Sequence, residues 1–150
     1  MRKTDLSEAT CPVARSLGEV GDWWSLLIVR DALNGVSRFS DFQRSLGCAR
    51  NILSARLSKL VEAGVLVTEP ASDGSLYHQY RLTEKGKALR VALVALRQWG
   101  EAYLFDEEEE RLQLVDTKDR KAVAPLEMRA HDGRALTVDE VEVQSTSGAA

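Results

Sequence analysis

Up to Gly64 the chain is a series of apolar-periodic stretches, each cut short by a glycine, and this punctuation restricts the region to a set of short helices. Asp22 stands where a helix N-cap is wanted, ahead of an apolar run over 23–33. Asn34-Gly35 closes that run with a residue that takes the left-handed conformation freely. Ser37 is placed to cap a second helix, in which Phe39, Phe42 and Leu46 recur at spacings of three and four, and Gly47 breaks it. A third helix is expected over 49–62, with Ile52, Leu53, Leu57, Leu60 and Val61 turned inward, and Ala63-Gly64 ends it.

The texture then changes. Val65-Leu-Val-Thr68 is β-prone, and the stretch from Pro70 to Ser75 reads as a turn, with Asp73-Gly74 the strongest hairpin signal. Tyr77 to Leu82 supplies the returning strand. Thr83 is a further N-cap candidate, and one long helix is expected over about 84–105. Leu89, Leu93, Leu96 and Trp99 mark a stripe on it, which Val91, Val94, Ala95 and Tyr103 widen. A stripe this broad has to be buried, on its own domain or on a partner. Residues 106–110 are consecutive acids, read as a solvated helix end or linker. Residues 111–143 read as a small β appendage with a faint internal repeat, 114–123 and 128–136, each strand, polar turn, strand. Residues 144–150 are expected to fray. The plan is therefore mostly α with a small β wing: an α+β domain over 1–105, the acidic segment, and a C-terminal β-hairpin appendage.

Composition removes several function classes. Two cysteines, Cys11 and Cys48, are too few for a disulfide framework or a zinc cage, and His78 and His131 show no ligand spacing. No metal and no cofactor is expected. There is no Gly-rich phosphate loop and no plausible Ser/His/Asp set, so an enzyme is not expected. The longest apolar run is far too short for a bilayer, and the first twenty residues carry charges where a secretory signal needs an apolar stretch. The expectation is a cytoplasmic protein without a membrane partner.

The net charge of −3 at first argues against a nucleic-acid partner, but it hides an asymmetry. Residues 1–100 hold 14 Lys/Arg and 10 Asp/Glu, a net of +4, while residues 101–150 hold 6 and 13, a net of −7. Over 38–60 five bases (Arg38, Arg44, Arg50, Arg56 and Lys59) face one acid, Asp41. A DNA contact responds to this local field, because salt screens charges beyond roughly 8–10 Å.

Helix, short turn, helix, then a β-hairpin is the order of a winged helix-turn-helix, in which the second helix of the motif enters the major groove. The recognition helix is then 49–62. Its inner positions are apolar, leaving Arg50, Asn51, Ser54, Ala55 and Ser58 on the outer face. Arg can fork onto guanine and Asn onto adenine, while Ser and Ala permit close approach. Arg38, Arg44 and Lys59 are candidates for phosphates. The wing tip has no Lys or Arg, so Tyr77, His78 and Gln79 are its candidate contacts, through hydrogen bonds.

The same residues carry a family resemblance. Cys11-Pro-Val-Ala-Arg15, Gly21-Asp-Trp-Trp-Ser-Leu-Leu-Ile-Val-Arg-Asp31, Arg38-Phe-Ser-Asp-Phe42, Ala49-Arg-Asn-Ile-Leu-Ser54, Gly64-Val-Leu66 and Tyr80-Arg-Leu-Thr-Glu-Lys-Gly86 occur in the order found in HxlR-type regulators, relatives of the MarR group. The chain resembles that family over about residues 11–100. The resemblance implies a dimeric, non-catalytic regulator of double-stranded DNA. It also implies a homodimer interface built from the N-terminal segment and the helix after the wing, through Val13, Leu17, Leu89, Leu93, Leu96, Trp99 and Tyr103. The chain departs from the family pattern at Cys48, at Tyr77, where a wing arginine is usual, and throughout the appendage.

Cys11 falls where some members carry a redox-sensing thiol, and Arg15 would favour the thiolate if the segment were helical. Cys48 reads as a small core residue. Trp23, Trp24, Trp99 and Tyr103 are candidates for a pocket that takes a small-molecule inducer, or equally for plain core. The leading expectation is a repressor that binds a palindromic operator as a homodimer. Its rivals are a winged-helix module that binds protein rather than DNA, and a redox sensor acting through Cys11.

Overall fold

A computed structural model of the chain describes residues 5–148. They divide into two units, which meet in sequence between Leu93 and Val94.

The first unit opens with α1 (Pro12–Val20), where proline occupies the first helical position and needs no N–H partner. Helix α2 (Trp23–Leu33) starts as expected, with the Asp22 carboxylate accepting the Ser25 N–H at 2.9 Å. Gly35 follows it at φ +95°. Helix α3 (Phe39–Leu46) ends at Gly47, which is left-handed at φ +63°. Ser37 does not cap α3. The N-cap is Arg38, whose side chain makes no capping bond, because Ser37 lies in extended chain and its carbonyl accepts the Tyr80 N–H at 2.8 Å.

Helix α4 (Arg50–Glu62) presents Leu53, Leu57 and Leu60 to the core, all fully buried. Ile52, expected inside, is 38% exposed. It precedes Leu53 by about 100° of helical rotation, which carries it off the buried stripe. Around the three leucines sit Val20, Ile28, Val29, Phe42, Cys48, Val65, Leu66 and Leu82, so Cys48 is a core residue.

Strands β1 (Leu66–Pro70) and β2 (His78–Leu82) pair antiparallel, with Leu66 opposite Leu82 and Pro70 opposite His78. Gly74, at φ +74°, turns the chain between them. The helix expected over 84–105 is interrupted. It forms α5 (Glu84–Lys87) and α6 (Leu89–Tyr103), parted at Ala88. The first turn is held from outside: Thr83 Oγ1 donates to the Gly64 carbonyl at 2.5 Å and Lys85 Nζ to the Ala63 carbonyl at 2.6 Å. Leu89 and Leu93 pack separately against the core. The turn and the helix thus answer to different neighbours.

The second unit contains the rest of α6 and the C-terminal segment. Gln98 clamps that segment by accepting the Leu126 N–H at 2.8 Å and donating to the Ala124 carbonyl at 3.0 Å. Arg97 donates to the Leu112 carbonyl at 2.7 Å. Both halves of the sequence repeat are turns between paired segments. Val115 bridges Ala122, and β3 (Met128–Arg129) pairs with β4 (Ala135–Leu136). In each, an aspartate accepts the N–H two residues on at 3.0 Å (Lys121 to Asp119, Arg134 to Asp132), and the residue between is left-handed, Arg120 at φ +62° and Gly133 at φ +88°.

Candidate nucleic-acid interface

The outer face of α4 is open. Arg50, Asn51, Ser54, Ala55 and Ser58 are all exposed, opposite the buried leucine stripe. The Arg50 guanidinium lies 5.0 Å from the centre of the Phe39 ring, a cation–π contact that fixes its direction without neutralising it. Ala49, the N-cap, contributes no side-chain acceptor to the first-turn N–H groups.

The other four bases of the 38–60 cluster each face an acid. Arg44 Nη1 is 3.1 Å from Asp41, three residues earlier on α3, in an exposed pair that leaves the side chain in solvent. Arg38 is bound to Asp73 at the wing tip. Lys59 Nζ lies 3.7 Å from Asp22 Oδ2, and Arg56 Nε lies 3.1 Å from Asp22 Oδ1. The Arg56 Nε–H lacks hydrogen-bond alignment with any acceptor, so this pairing is Coulombic. Lys59, expected at a phosphate, is thus turned back toward the start of α2. Among the described residues, Arg50 alone of the five bases has no ion-pair partner.

Asp22 therefore joins two helices. It caps α2 through the Ser25 N–H, accepts the Ser25 hydroxyl at 2.6 Å, and holds Arg56 and Lys59 of the recognition helix. Partial burial opposes its ionisation, but the Ser25 hydrogen bonds and then the two cations outweigh it and keep its pKa below the ordinary carboxylate value. The Arg38 guanidinium, aided by the Ser75 N–H, holds the Asp73 carboxyl far below that value. Arg81, and then Gln79, likewise lower Glu69.

On the wing, Tyr77 and His78 are exposed. Gln79 is half-buried and its Nε2 donates to Glu69 at 3.2 Å, while Arg81 Nε donates to the other carboxylate oxygen at 2.9 Å. The wing is fastened to the helices by the Tyr80 N–H to Ser37 carbonyl bond and by the edge of one ring on the other between Phe42 and Tyr80, 6.4 Å between centres.

Of the residues expected at a subunit interface, Val13 and Leu17 on α1 and Leu96, Trp99 and Tyr103 on α6 are exposed. Leu89 and Leu93 are partly buried and pack against the chain's own core. Trp24 packs on that core, with Trp23 edge-on to it and exposed, while the Trp99 and Tyr103 rings lie 5.8 Å apart with their planes tilted by 45°. A cleft of about 470 Å³ lies elsewhere in the first unit, lined by Ala32, Val36, Gln79, Tyr80, Arg81 and Lys87 among others, and by none of the four aromatic residues expected at a pocket. Cys11 is an exposed thiol at the N-cap of α1. Arg15 directs its Nε–H to the Ala9 carbonyl at 3.1 Å.

Three features escape a reading of the sequence: the capture of Arg56 and Lys59 by Asp22, the outward turn of Ile52, and the clamp of Glu69 on Gln79. Only the last leaves a trace, in the facing positions of Glu69 and Gln79 across a hairpin. Among the described residues no helix is long and apolar enough to cross a membrane, and no three potential metal ligands cluster.

The architecture is that of a winged helix-turn-helix, and known proteins share it. The model of the HxlR-like helix-turn-helix family matches residues 19–108, and the chain belongs to that family of transcriptional regulators. Rv3095 of Mycobacterium tuberculosis, an HTH-type transcriptional regulator, is 39% identical over 136 residues, covering 91% of this chain and 86% of the relative. The crystal structure of PA1607, a candidate transcription factor, superposes with a TM-score of 0.89 at 51% identity, over 94% of this chain and 99% of that one. PA1374 from Pseudomonas aeruginosa gives a TM-score of 0.65 at 42% identity, over 93% and 95%. Both structural matches reach beyond the family model into the second unit.

Proposed function

We propose that this regulator represses transcription in the cytoplasm by binding a palindromic operator as a homodimer, with α4 of each copy in the major groove. One observation carries the reading: α4 buries its leucine stripe completely while Arg50, Asn51, Ser54, Ala55 and Ser58 stand clear, and Arg50 keeps its charge unpaired. Arg50 and Asn51 are the base readers, through guanine and adenine edges. Ala55 and Ser58 let the helix approach, and Ile52, on the flank of that face, meets thymine methyl groups. Arg44 contacts phosphate, since its pair with Asp41 is exposed and easily exchanged. The exposed apolar residues of α1 and of α6 are covered by the second copy.

The test is selection of genomic fragments by the purified protein, followed by binding measured across a salt series. A dimer on DNA selects fragments with two inverted half-sites about one helical turn apart, or a multiple of that, and loses affinity steeply as salt rises. Fragments without inverted symmetry, or a flat salt response, would refute the reading and favour a protein partner.

A further inference from the structure

The wing ends in a surface unlike that of a phosphate-binding hairpin. Leu76 is 100% exposed and Tyr77 78% exposed, and residues 72–78 contain no Lys or Arg. The one acid of the tip, Asp73, is paired with Arg38, so the tip presents little net charge. It is also preorganised. Asp73 Oδ1 accepts the Ser75 N–H at 3.0 Å, Gly74 turns the chain at φ +74°, and at the neck the Ala71 N–H donates to the Tyr77 carbonyl at 3.1 Å above a buried Ala71 side chain.

A single exposed leucine is common on protein surfaces. This one sits on the returning arm of a hairpin loop tethered to the helix-turn-helix at three points: Asp73 to Arg38, the Tyr80 N–H to the Ser37 carbonyl, and Tyr80 against Phe42. The loop is therefore held in a fixed place beside α3. Attraction to phosphate needs cations, which the tip lacks. The chemistry that suits a neutral, apolar loop on DNA is insertion into the minor groove, where such side chains part a base step and bend the duplex.

We propose that Leu76, backed by Tyr77, is an apolar wedge for the minor groove beside each half-site. Sequence is read there through the ease of opening a step, which favours flexible pyrimidine–purine steps, rather than through charge. This inference rests on the operator-binding reading above.

Fragments selected by the parent protein, end-labelled with a donor–acceptor pair and carrying 2-aminopurine at the steps flanking each half-site, test it. Burial of one leucine side chain corresponds to roughly 10- to 100-fold in affinity. Leu76→Ala is expected to bind weaker by about that factor with an unchanged salt slope, less bending and no 2-aminopurine brightening. Leu76→Arg is expected to recover affinity with a salt slope steeper by about one per wing, still without the bend. Equal affinity and equal bending in the parent and Leu76→Ala would overturn the wedge. So would a Leu76→Ala protein of altered oligomeric state with intact DNA binding, which would assign the tip to a protein contact. A parent that selects no DNA would remove the operator-binding reading, and the wedge with it, whereas equal behaviour of parent and variant on selected DNA removes the wedge alone.

Discussion

Among side chains, the distinction that matters is between cations turned to solvent and cations held by the fold. Arg50 and Asn51 are exposed, and the contact of Arg50 with the Phe39 ring is a surface one, so their replacement should cost folding little and act on recognition. Arg50→Ala and Asn51→Ala are each expected to weaken specific binding by about 1–3 kcal/mol and to relax base preference at one position per half-site. Competition between selected and scrambled duplexes measures both effects, and unchanged discrimination would show that α4 is not the reader. Asp22 is the opposite kind of residue. Asp22→Ala removes a helix cap and strands Arg56 and Lys59, and is expected to destabilise the fold by about 1–2 kcal/mol in denaturant titration. The pH dependence follows from its lowered pKa. A carboxyl that is more acidic folded than unfolded stabilises the fold above its unfolded pKa, about 3.9, and the benefit fades as pH falls through the folded value. Asp22→Asn should therefore show a shallower loss of stability on the acid side of pH 4 than the parent; identical acid limbs would show that Asp22 is not linked to folding.

At the scale of elements, the turn that follows the wing packs closely against the chain leading into β1. A Cβ on Gly86 would lie 2.2 Å from the Val65 carbonyl oxygen and 2.7 Å from Leu82 Cδ2, and the first of these is backbone that cannot step aside. Gly86→Ala is expected to destabilise by about 1–3 kcal/mol, seen as a lower thermal midpoint, whereas helix propensity alone would predict a gain. A raised midpoint would mean that the turn and β1 separate easily. The same junction shows what a sequence can and cannot disclose. Helices α2, α3 and α4 were legible because their signals are local: Asp22 three residues before Ser25, glycines at each end, and apolar spacings of three and four. The break at Ala88 was not, since it depends on carbonyls of Ala63, Gly64 and Val65 brought from some twenty residues upstream. Ile52 was misplaced because a stripe of neighbouring apolar residues does not say where its edge falls. The outer face of α4 was readable from composition, but the fate of Arg56 and Lys59 hung on an aspartate more than thirty residues away. The appendage repeat was readable as strand, turn and strand, while the left-handed Arg120 was hidden by not being a glycine.

For the molecule as a whole, the overall charge of −3 says little, because the positive balance lies in residues 1–100 and the negative in 101–150. In the homodimer proposed above, affinity would come chiefly from engaging two half-sites at once. Linking two modest contacts raises apparent affinity by about 10²–10⁴-fold when geometry permits both. The proposed link draws on the exposed apolar side chains Val13 and Leu17 of α1 and Leu96, Trp99 and Tyr103 of α6. A glutamate there places a charge in a dehydrated contact, which is unfavourable unless it is paired. Leu17→Glu and Trp99→Glu should each convert a dimer into monomers in sedimentation at micromolar concentration, with the helical circular dichroism signal retained because both positions are exposed in the single chain. Binding to a full operator should fall by the avidity factor, while binding to an isolated half-site should not change. If the full operator is bound as tightly by the monomeric variants as by the parent, the two half-sites are not held by one assembly, and the apolar faces of α1 and α6 serve some other contact.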